Sequence, residues 1–338
     1  MTHRRSFISA LGVAAFAVPF TVPLAVRAQP AAAPPGKLWR VGFIWSASRA
    51  TTQRSLDTIL RKLREIGFVE GRDFSTEHLW ADGNAKLLPG FATEMVGRKV
   101  DLIVTYSTAA AQAAKAATRD TQIPVVFTMV SDPVASSVVN SLARPGGNVT
   151  GWSNMLPDTS EKLLEYLGAM KPKMARVAVL SDPGNPGKVL EIAKLRQAAA
   201  RLGLTLRPKE LRNAADIDTA FSEIAGERTD ALIILVDGVT TTHRRRIVDL
   251  VAKQRLPAIY QVREFVEAGG LMSFGLNISR QQERTAEYMH RIFKGAKPAD
   301  LPVEQPTRVE LVINGKTVRA LGLKIPQALL ISAEEVID

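Results

Sequence analysis

The 338-residue sequence contains no cysteine and few aromatic residues, which make up 6% of the chain. The absence of cysteine excludes a disulfide scaffold, a thiolate metal site, a cysteine nucleophile and a lipid anchor through cysteine. Histidine is scarce as well, and the four histidines lack the paired spacing that binds zinc. The length nevertheless suggests two domains, because a domain usually has about 100–200 residues.

The signature motifs of common enzyme classes are also missing. The stretch that ends in Gly187 and Lys188 has Asp182 where a phosphate-binding loop requires glycine, and the strand–helix turns lack Gly-x-Gly-x-x-Gly. Residues 151–153 (GWS) lack the second glycine of a nucleophile elbow, and no Ser-x-x-Lys motif occurs. We therefore predict a non-enzymatic binding protein that uses no metal ion and no cofactor.

Residues 1–28 have the composition of a removable export signal. Arg4 and Arg5 precede an apolar stretch without acidic residues, and small side chains around Ala28 suit cleavage before Gln29. The apolar stretch is short for a membrane span, and no later segment is long and apolar enough to be one. We predict that the mature protein is soluble and exported. The paired arginines resemble a twin-arginine signal, although the general export route stays open.

From Leu38 onward, short β-branched runs alternate with amphipathic stretches. This alternation predicts parallel sheets built from right-handed crossovers. The first predicted strands cover residues 41–45, 74–79, 102–104 and 125–127; helices are predicted from the stripe at Leu56 to Leu63, from residues 107–118 and from the stripe at Val134 to Leu142.

Several residues of this first series of strands and helices have counterparts later in the chain. Val41 and Gly67 have counterparts in Val177 and Gly203, each 136 residues further on. In the same order, Asp101 matches Asp230 and residues 123–127 match residues 256–260. We infer two lobes of one design.

The fold class predicted is therefore α/β, with two Rossmann-like lobes and parallel sheets. Turn-rich residues 143–148 suit one connection between the lobes, residues 267–275 a second, and residues 297–313 a third. Three crossings would form a hinge with a ligand cleft between the lobes. The expected N-terminal lobe comprises residues 37–147 and 275–303, and the C-terminal lobe residues 148–274 and 304–338.

Aromatic and small polar side chains follow the predicted strands of both lobes, where ligands of open α/β sheets bind. Free N–H groups at helix starts would bind the carboxylate of a ligand. Asp237 or Asp132 would bind an ammonium group of the ligand, and the aromatic rings would pack on its apolar part. Each residue has a structural alternative, namely a helix cap, a turn or a core aromatic. The candidate ligand-binding residues are Trp45, Ser46, Tyr106, Ser107, Thr108, Ser131, Asp132, Asn185, Asp237, Tyr260 and Phe274.

Four longer motifs resemble one family, the ABC-transporter substrate-binding proteins that include the TrpX-like tryptophan- and tyrosine-binding members. The resemblance runs from about residue 39 to the C-terminus. It implies a type I periplasmic-binding-protein fold with two lobes, three hinge crossings, no catalysis and no cofactor. The motifs are residues 65–72 (EIGFVEGR), 131–134 (SDPV), 141–151 (SLARPGGNVTG) and 265–273 (FVEAGGLMS).

The resemblance implies a solute receptor that closes on a small ligand and delivers it to an ABC permease in the inner membrane. We expect a carboxylate-bearing ligand, such as an aromatic or apolar amino acid or a related aromatic acid. Lipoprotein relatives carry an anchoring cysteine that this chain lacks, so we expect a monomer free in the periplasm. The net charge of +11 is spread along the chain and does not indicate a nucleic-acid partner.

Three alternatives stay open at this point. A ligand-binding partner of a periplasmic sensor or chemoreceptor would fit every residue discussed above. A periplasmic enzyme on the same fold finds little support in the motifs. A LacI-type regulator would need a DNA-binding helix-turn-helix where this chain has an export signal.

Overall fold

The computed structural model describes residues 37–154 and 159–338, and within these ranges the strands form one sheet of five strands and one of seven. The predicted export signal lies outside the described residues. None of the helices in the described ranges combines the length and hydrophobicity needed to cross a membrane.

The first part of the chain alternates strands and helices as the sequence predicts. Helix α1 turns Ile59 and Leu63 into the core, and the chain leaves it through Gly67 at φ +91°, a conformation that favours glycine. The elements are β1 (Trp39–Trp45), α1 (Arg49–Glu65), β2 (Phe74–Trp80), α2 (Leu88–Gly97), β3 (Leu102–Tyr106), α3 (Thr108–Ala117), β4 (Val125–Val130) and β5 (Val149–Ser153).

The remainder of the chain repeats this alternation and then adds further elements. These are α4 (Thr159–Met170), β6 (Arg176–Ser181), α5 (Pro186–Arg201), β7 (Thr205–Glu210), α6 (Asp216–Gly226), β8 (Ala231–Ile234), α7 (Gly238–Thr242), α8 (Arg244–Lys253), β9 (Ala258–Tyr260), α9 (Arg263–Glu267), β10 (Met272–Gly275), α10 (Ile278–Phe293), β11 (Glu310–Asn314), α11 (Gly315–Ala320), α12 (Gln327–Ser332) and β12 (Glu335–Ile337).

The order of strands shows that the two lobes share one design. The first sheet runs β2-β1-β3-β4-β5, and the second runs β12-β11-β10-β9-β8-β6-β7. Within the second order, β7-β6-β8-β9-β10 repeats the first order strand by strand. Neighbouring strands are parallel except β10 and β11, which are antiparallel. The predicted α/β fold with two lobes of one design is confirmed.

The chain passes between the lobes three times. It leaves β5 of the first sheet for α4 of the second lobe, returns after β10 to α10, which packs on α1, β4 and β5, and leaves again before β11. On the last passage Glu304 pairs with Trp152 of β5, the strand from which the first passage leaves.

The expected lobe boundaries need two corrections. The boundary after residue 147 falls before β5, which pairs with β4 from Val125↔Val149 onward, so the first sheet extends to Ser153. The turn at residues 143–148 therefore connects two strands of one lobe. Residues 267–275 lie within the second lobe as the end of α9 and as β10, and the crossing follows Gly275.

The predicted helix from Val134 to Leu142 is also wrong, because this segment consists of turns. Asp132 accepts a hydrogen bond from the Ala135 N–H at 3.0 Å on its side chain and one from the Ser136 hydroxyl on its carbonyl group. Ser137 has φ +58°, which an α-helix does not accommodate. Local side-chain bonds to the backbone thus replace the helical pattern.

Candidate functional site

The two lobes touch at the carboxyl ends of their sheets. Ser46, which follows β1, lies against Gly238 at the start of α7, and a Cβ atom on Gly238 would lie 2.5 Å from the Ser46 carbonyl oxygen. A Cβ atom on Gly187 of α5 would lie 2.9 Å from Ser131 Oγ in the first lobe. The backbone N–H of Ser48 in the first lobe donates to Thr242 Oγ1 in the second lobe at 3.0 Å. The lobes are therefore in a closed arrangement.

A cavity of about 280 Å³ lies between the closed lobes; we call it the larger cavity. The first lobe contributes the end of β4, and the second contributes α4, α5 and the ends of β8, β9 and β10. Apolar side chains such as Leu163, Leu195 and Phe274 form one part of its wall, and polar and charged side chains form the rest. Its lining includes Met129, Ser131, Asn154, Ser160, Leu163, Glu191, Lys194, Leu195, Gln261, Phe274 and Leu276.

Glu191 on α5 is the centre of the polar part of this cavity. Its carboxylate pairs with Lys188 at 2.7 Å and accepts hydrogen bonds from Ser131 and, at 3.0 Å, from the Gln261 amide. The side-chain oxygen Oε1 of Gln261 accepts the Val236 N–H at 2.8 Å, and this bond fixes the orientation of the Gln261 amide group. Because Ser131 belongs to the first lobe and the other groups to the second, this network holds the lobes together.

The network also keeps Glu191 ionised. Burial alone would raise its pKa, but the Lys188 ammonium and the hydrogen bonds from Lys188, Ser131 and Gln261 outweigh burial and hold the pKa below its ordinary value. A carboxylate has about four lone-pair sites, and three of them are used here. Asn154 Oδ1, also at the cavity, is buried and accepts no hydrogen bond among the described residues. The cavity thus offers two acceptors to a ligand that carries donors.

Several of the predicted site residues act as helix caps. Ser107 accepts the Ala110 N–H at 3.2 Å, and Asn185 accepts the Gly187 N–H at 3.2 Å. Both carboxylate oxygens of Asp237 accept backbone N–H groups, from Asp182 at 2.7 Å and from Thr240 at 2.9 Å.

The hydroxyl groups of the first lobe lie together at the lobe contact. Ser46 donates to Ser107 Oγ at 2.6 Å, and Thr108 Oγ1 accepts the Ser131 N–H at 3.3 Å. Asp132 lies at the edge of this region, where its carboxylate is 3.8 Å from Lys194 Nζ. Ser131 is the one among these residues that lines the larger cavity.

Two carboxyl groups of the second lobe, which follow the neighbouring strands β6 and β8, lie close together. Burial, followed by the neighbouring charge of Asp237, raises the pKa of Asp182 to about 7. Burial raises the pKa of Asp237 as well, against the hydrogen bonds that it accepts. Asp182 therefore changes its charge near neutral pH.

The four predicted aromatic residues lie in different places. Phe274 lines the larger cavity, where its ring meets Tyr166 edge-on at 4.9 Å. Tyr106 lines a second, smaller cavity between the lobes. Trp45 is a core residue that donates to His78 Nδ1 at 3.3 Å. Tyr260 is fully buried and stacks on Phe265 at 4.8 Å, away from the larger cavity.

Glu191, Lys188, Gln261 and Asn154 are the residues that the sequence interpretation missed. That interpretation considered strand ends, whereas Lys188 and Glu191 lie on a helix and Asn154 lies on the crossing after β5. One signal was present: Lys188 and Glu191 are three residues apart, the spacing that places opposite charges on one helix face.

Comparisons with known proteins agree with this architecture. The sequence profile of ABC transporter substrate binding proteins matches residues 42–337. A tyrosine-binding protein from Clostridioides difficile (strain R20291) is 26% identical over 284 residues, which cover 84% of this chain and 81% of that protein.

Two solved structures are similar in different conformations. The ABC domain in complex with L-Trp from Streptococcus pneumonia is 25% identical and superposes with a TM-score of 0.81, covering 89% of this chain and all of that chain. The ligand-free, open structure of a substrate-binding protein with adhesive properties from Clostridium difficile is also 25% identical, with a TM-score of 0.60 over 89% of this chain and 99% of that one. Together with the profile match over most of the chain, these likenesses confirm the prediction of a non-enzymatic binding protein: the chain belongs to the family of ABC transporter substrate-binding proteins.

Proposed function

We propose that this protein is an extracytoplasmic receptor of an ABC importer and that it binds an amino acid with an aromatic side chain in the larger cavity. A tyrosine-binding relative and a similar structure that holds L-Trp support this ligand class. The higher TM-score with the L-Trp complex than with the ligand-free, open structure supports a closed, binding-competent arrangement of the lobes.

One observation carries the choice of ligand: beside the apolar side chains of Leu195 and Phe274, the larger cavity contains the carboxylate of Glu191, which has an unused lone-pair site, and Asn154 Oδ1, which has no donor among the described residues. An ammonium group has three donors and a positive charge, so it satisfies both acceptors at once. A neutral sugar would supply donors, but it would leave the apolar wall around Phe274 and Leu195 without a matching surface.

The remaining parts of the ligand then follow from the shape of the cavity. The aromatic ring packs against Phe274, whose ring is perpendicular to that of Tyr166, and against Met129 and Leu195. The carboxylate lies toward Lys194 and the Ser160 hydroxyl group, which line the cavity near the start of α4.

Binding in this position couples the ligand to hinge closure. Ser131 of the first lobe and Gln261 of the second both bond to Glu191, so a ligand on Glu191 contacts both lobes only when they are closed. Closure is then a shift of population toward the state with more contacts. We propose that the closed, liganded monomer diffuses freely in the periplasm, after export through the signal in residues 1–28, and docks on a membrane permease.

Isothermal titration calorimetry with L-Trp, L-Tyr and L-Phe tests this proposal. Indole-3-acetate lacks the ammonium group and tryptamine lacks the carboxylate, so these two probes separate the two ends of the ligand. We expect binding of the amino acids and a loss of at least about 10-fold for indole-3-acetate, because a hydrogen bond to a charged group contributes about 1.5–3 kcal/mol.

Glu191→Gln should cause a comparable loss of amino-acid affinity. Glu165→Gln is the matched control, because Glu165 forms a pair with Lys162 at the same spacing but on the exposed face of α4. The double variant Lys188→Met/Glu191→Gln removes the buried cation as well, so a loss of affinity that persists there is not due to an unpaired lysine. Binding of sugars alone, or unchanged affinity in both Glu191 variants, would refute the proposal.

A further inference from the structure

The second cavity has a volume of about 60 Å³ and also lies between the lobes. Val262 lines both cavities. The first lobe contributes α1, α10 and Tyr106, and the second contributes residues of α7, α8 and α9. Nothing in the proposed binding of an aromatic amino acid uses this cavity.

Polar groups in the second cavity lack partners. Gln282 is fully buried, and neither its amide nitrogen nor its amide oxygen forms a hydrogen bond among the described residues. Glu264 Oε2 and Thr241 Oγ1 are also buried without a partner. Each such group costs free energy, so several around one space indicate a polar occupant.

Among the charged side chains that line the second cavity, Arg244 and Glu264 form no ion pair with the described residues. Arg54 is occupied by an ion pair with Glu267 at 3.1 Å. Arg244, by contrast, forms no ion pair with any of the residues 37–154 and 159–338. Burial raises the pKa of Glu264, and the charge of Arg244 opposes this rise only in part. The cavity therefore presents a guanidinium group, a carboxyl group and a carboxamide with both its donor and its acceptor unused.

We infer that the second cavity binds a small amino-acid zwitterion of about the size of glycine. Its carboxylate binds Arg244, its ammonium group donates to Glu264 Oε2, and the Gln282 amide bonds to both ends. A space of about 60 Å³ holds only a few water molecules, so it admits glycine and excludes an aromatic side chain.

This second site has a consequence for the first. Because α1 and α10 belong to one lobe and α8 and α9 to the other, a zwitterion here contacts both lobes in the closed state. A ligand that favours the closed state must raise the affinity of any other ligand that also favours it. Glycine is therefore expected to strengthen binding in the larger cavity.

Thermal unfolding with glycine as the probe tests the inference, and two adjacent residues provide a matched pair of variants. Gln281 and Gln282 are both fully buried with both amide atoms unpaired, but only Gln282 lines the second cavity. We expect millimolar glycine to raise the Tm of the wild type and of Gln281→Leu by about 2 °C or more, and to leave that of Gln282→Leu unchanged. Acetate and methylamine, which carry one charge each, should give smaller shifts.

A second pair of variants separates this site from the larger cavity. Arg244→Gln should lose the response to glycine, whereas Asn154→Ala, which removes an acceptor of the larger cavity that takes no part in the Glu191 network, should keep it, each measured against its own Tm without glycine. An absent shift in the wild type, a persistent shift in Gln282→Leu, or loss of the shift in Asn154→Ala would overturn the inference. The last of these would place glycine in the larger cavity.

Discussion

A Cβ atom on Gly238 would lie 2.5 Å from the carbonyl oxygen of Ser46, which belongs to the opposite lobe. The obstructing atom is part of the backbone, so no change of side-chain rotamer can relieve the contact. Gly238 itself begins α7, where Asp237 caps the helix through Thr240 at 2.9 Å. The absence of a side chain at this position therefore serves the closed state of the lobes.

Gly238→Ala should weaken ligand binding without disturbing either lobe. Overpacking of this kind costs about 1–3 kcal/mol, which corresponds to a loss of affinity of about 5- to 150-fold. Calorimetry would measure the loss, and small-angle scattering would show that ligand no longer compacts the protein. Gly90→Ala in α2 is the control, because no atom lies within 4 Å of its Cβ position. If Gly238→Ala binds and compacts like the wild type, the contact does not limit closure.

Asp182 should make the protein less stable as the pH rises through the neutral range. Burial and the nearby Asp237 raise its pKa to about 7 in the folded state, against about 3.9 in an unfolded chain. The unfolded state therefore loses the proton first, and stability falls between about pH 4 and pH 7. Asp182→Asn can still accept the Gly184 N–H, which Asp182 accepts at 2.8 Å, and cannot ionise.

Urea unfolding of Asp182→Asn and the wild type at about pH 4 and about pH 8 measures this effect. We expect the variant to be more stable than the wild type at the higher pH and equal to it at the lower. The exposed residue Asp120 provides the control Asp120→Asn, for which no such difference is expected. An equal gain at both pH values would mean that the carboxyl group of Asp182 does not titrate in this range.

Phe274→Leu should reduce the affinity for aromatic ligands while leaving the cavity filled. The Phe274 ring meets Tyr166 at 4.9 Å and faces the larger cavity, so it offers an aromatic surface to the ligand. Aromatic pairs contribute about 0.5–1.5 kcal/mol beyond area burial, which predicts a loss of about 2- to 12-fold for L-Trp. The control is Phe293→Leu in the core of the first lobe, and a similar loss there would show a general effect on stability.

The fold could be predicted because its signals are local. Val41 and Val177 lie in equivalent buried strands, β1 and β6, and Gly67 and Gly203 follow equivalent helices at positive φ. Each of these signals depends on a few neighbouring residues. The helix predicted around Val138 was wrong because the prediction used the apolar spacing alone. Ser137 and Asp132, in the same segment, favour turns.

The site was harder to predict because its residues meet only in the folded chain. Asp237 has the expected burial, but its oxygens bond to backbone N–H groups. Glu191 acquires its role from Ser131 and Gln261, which are 60 and 70 residues away. No spacing along the chain reports such a contact.

The prediction of a twin-arginine export route rests on Arg4 and Arg5, which precede the apolar part of the predicted signal. Arginine and lysine carry the same charge, but they present different donor geometries, so a receptor that reads the arginine pair should reject lysine. We expect Arg4→Lys/Arg5→Lys to leave the uncleaved precursor in the cytoplasm of a bacterium with a twin-arginine system. Cell fractionation followed by mass spectrometry of the N-terminus measures both location and cleavage.

The same double substitution separates the two export routes, because the general secretory route requires positive charge and hydrophobicity but no arginine pair. Unchanged periplasmic yield would therefore assign the protein to the general route and remove the twin-arginine prediction. The matched control is Arg27→Lys near the expected cleavage site, which retains the pair and should be exported normally. A mature N-terminus at Gln29 in both exported forms would place cleavage after Ala28, and cleavage elsewhere would contradict the predicted limit of the signal.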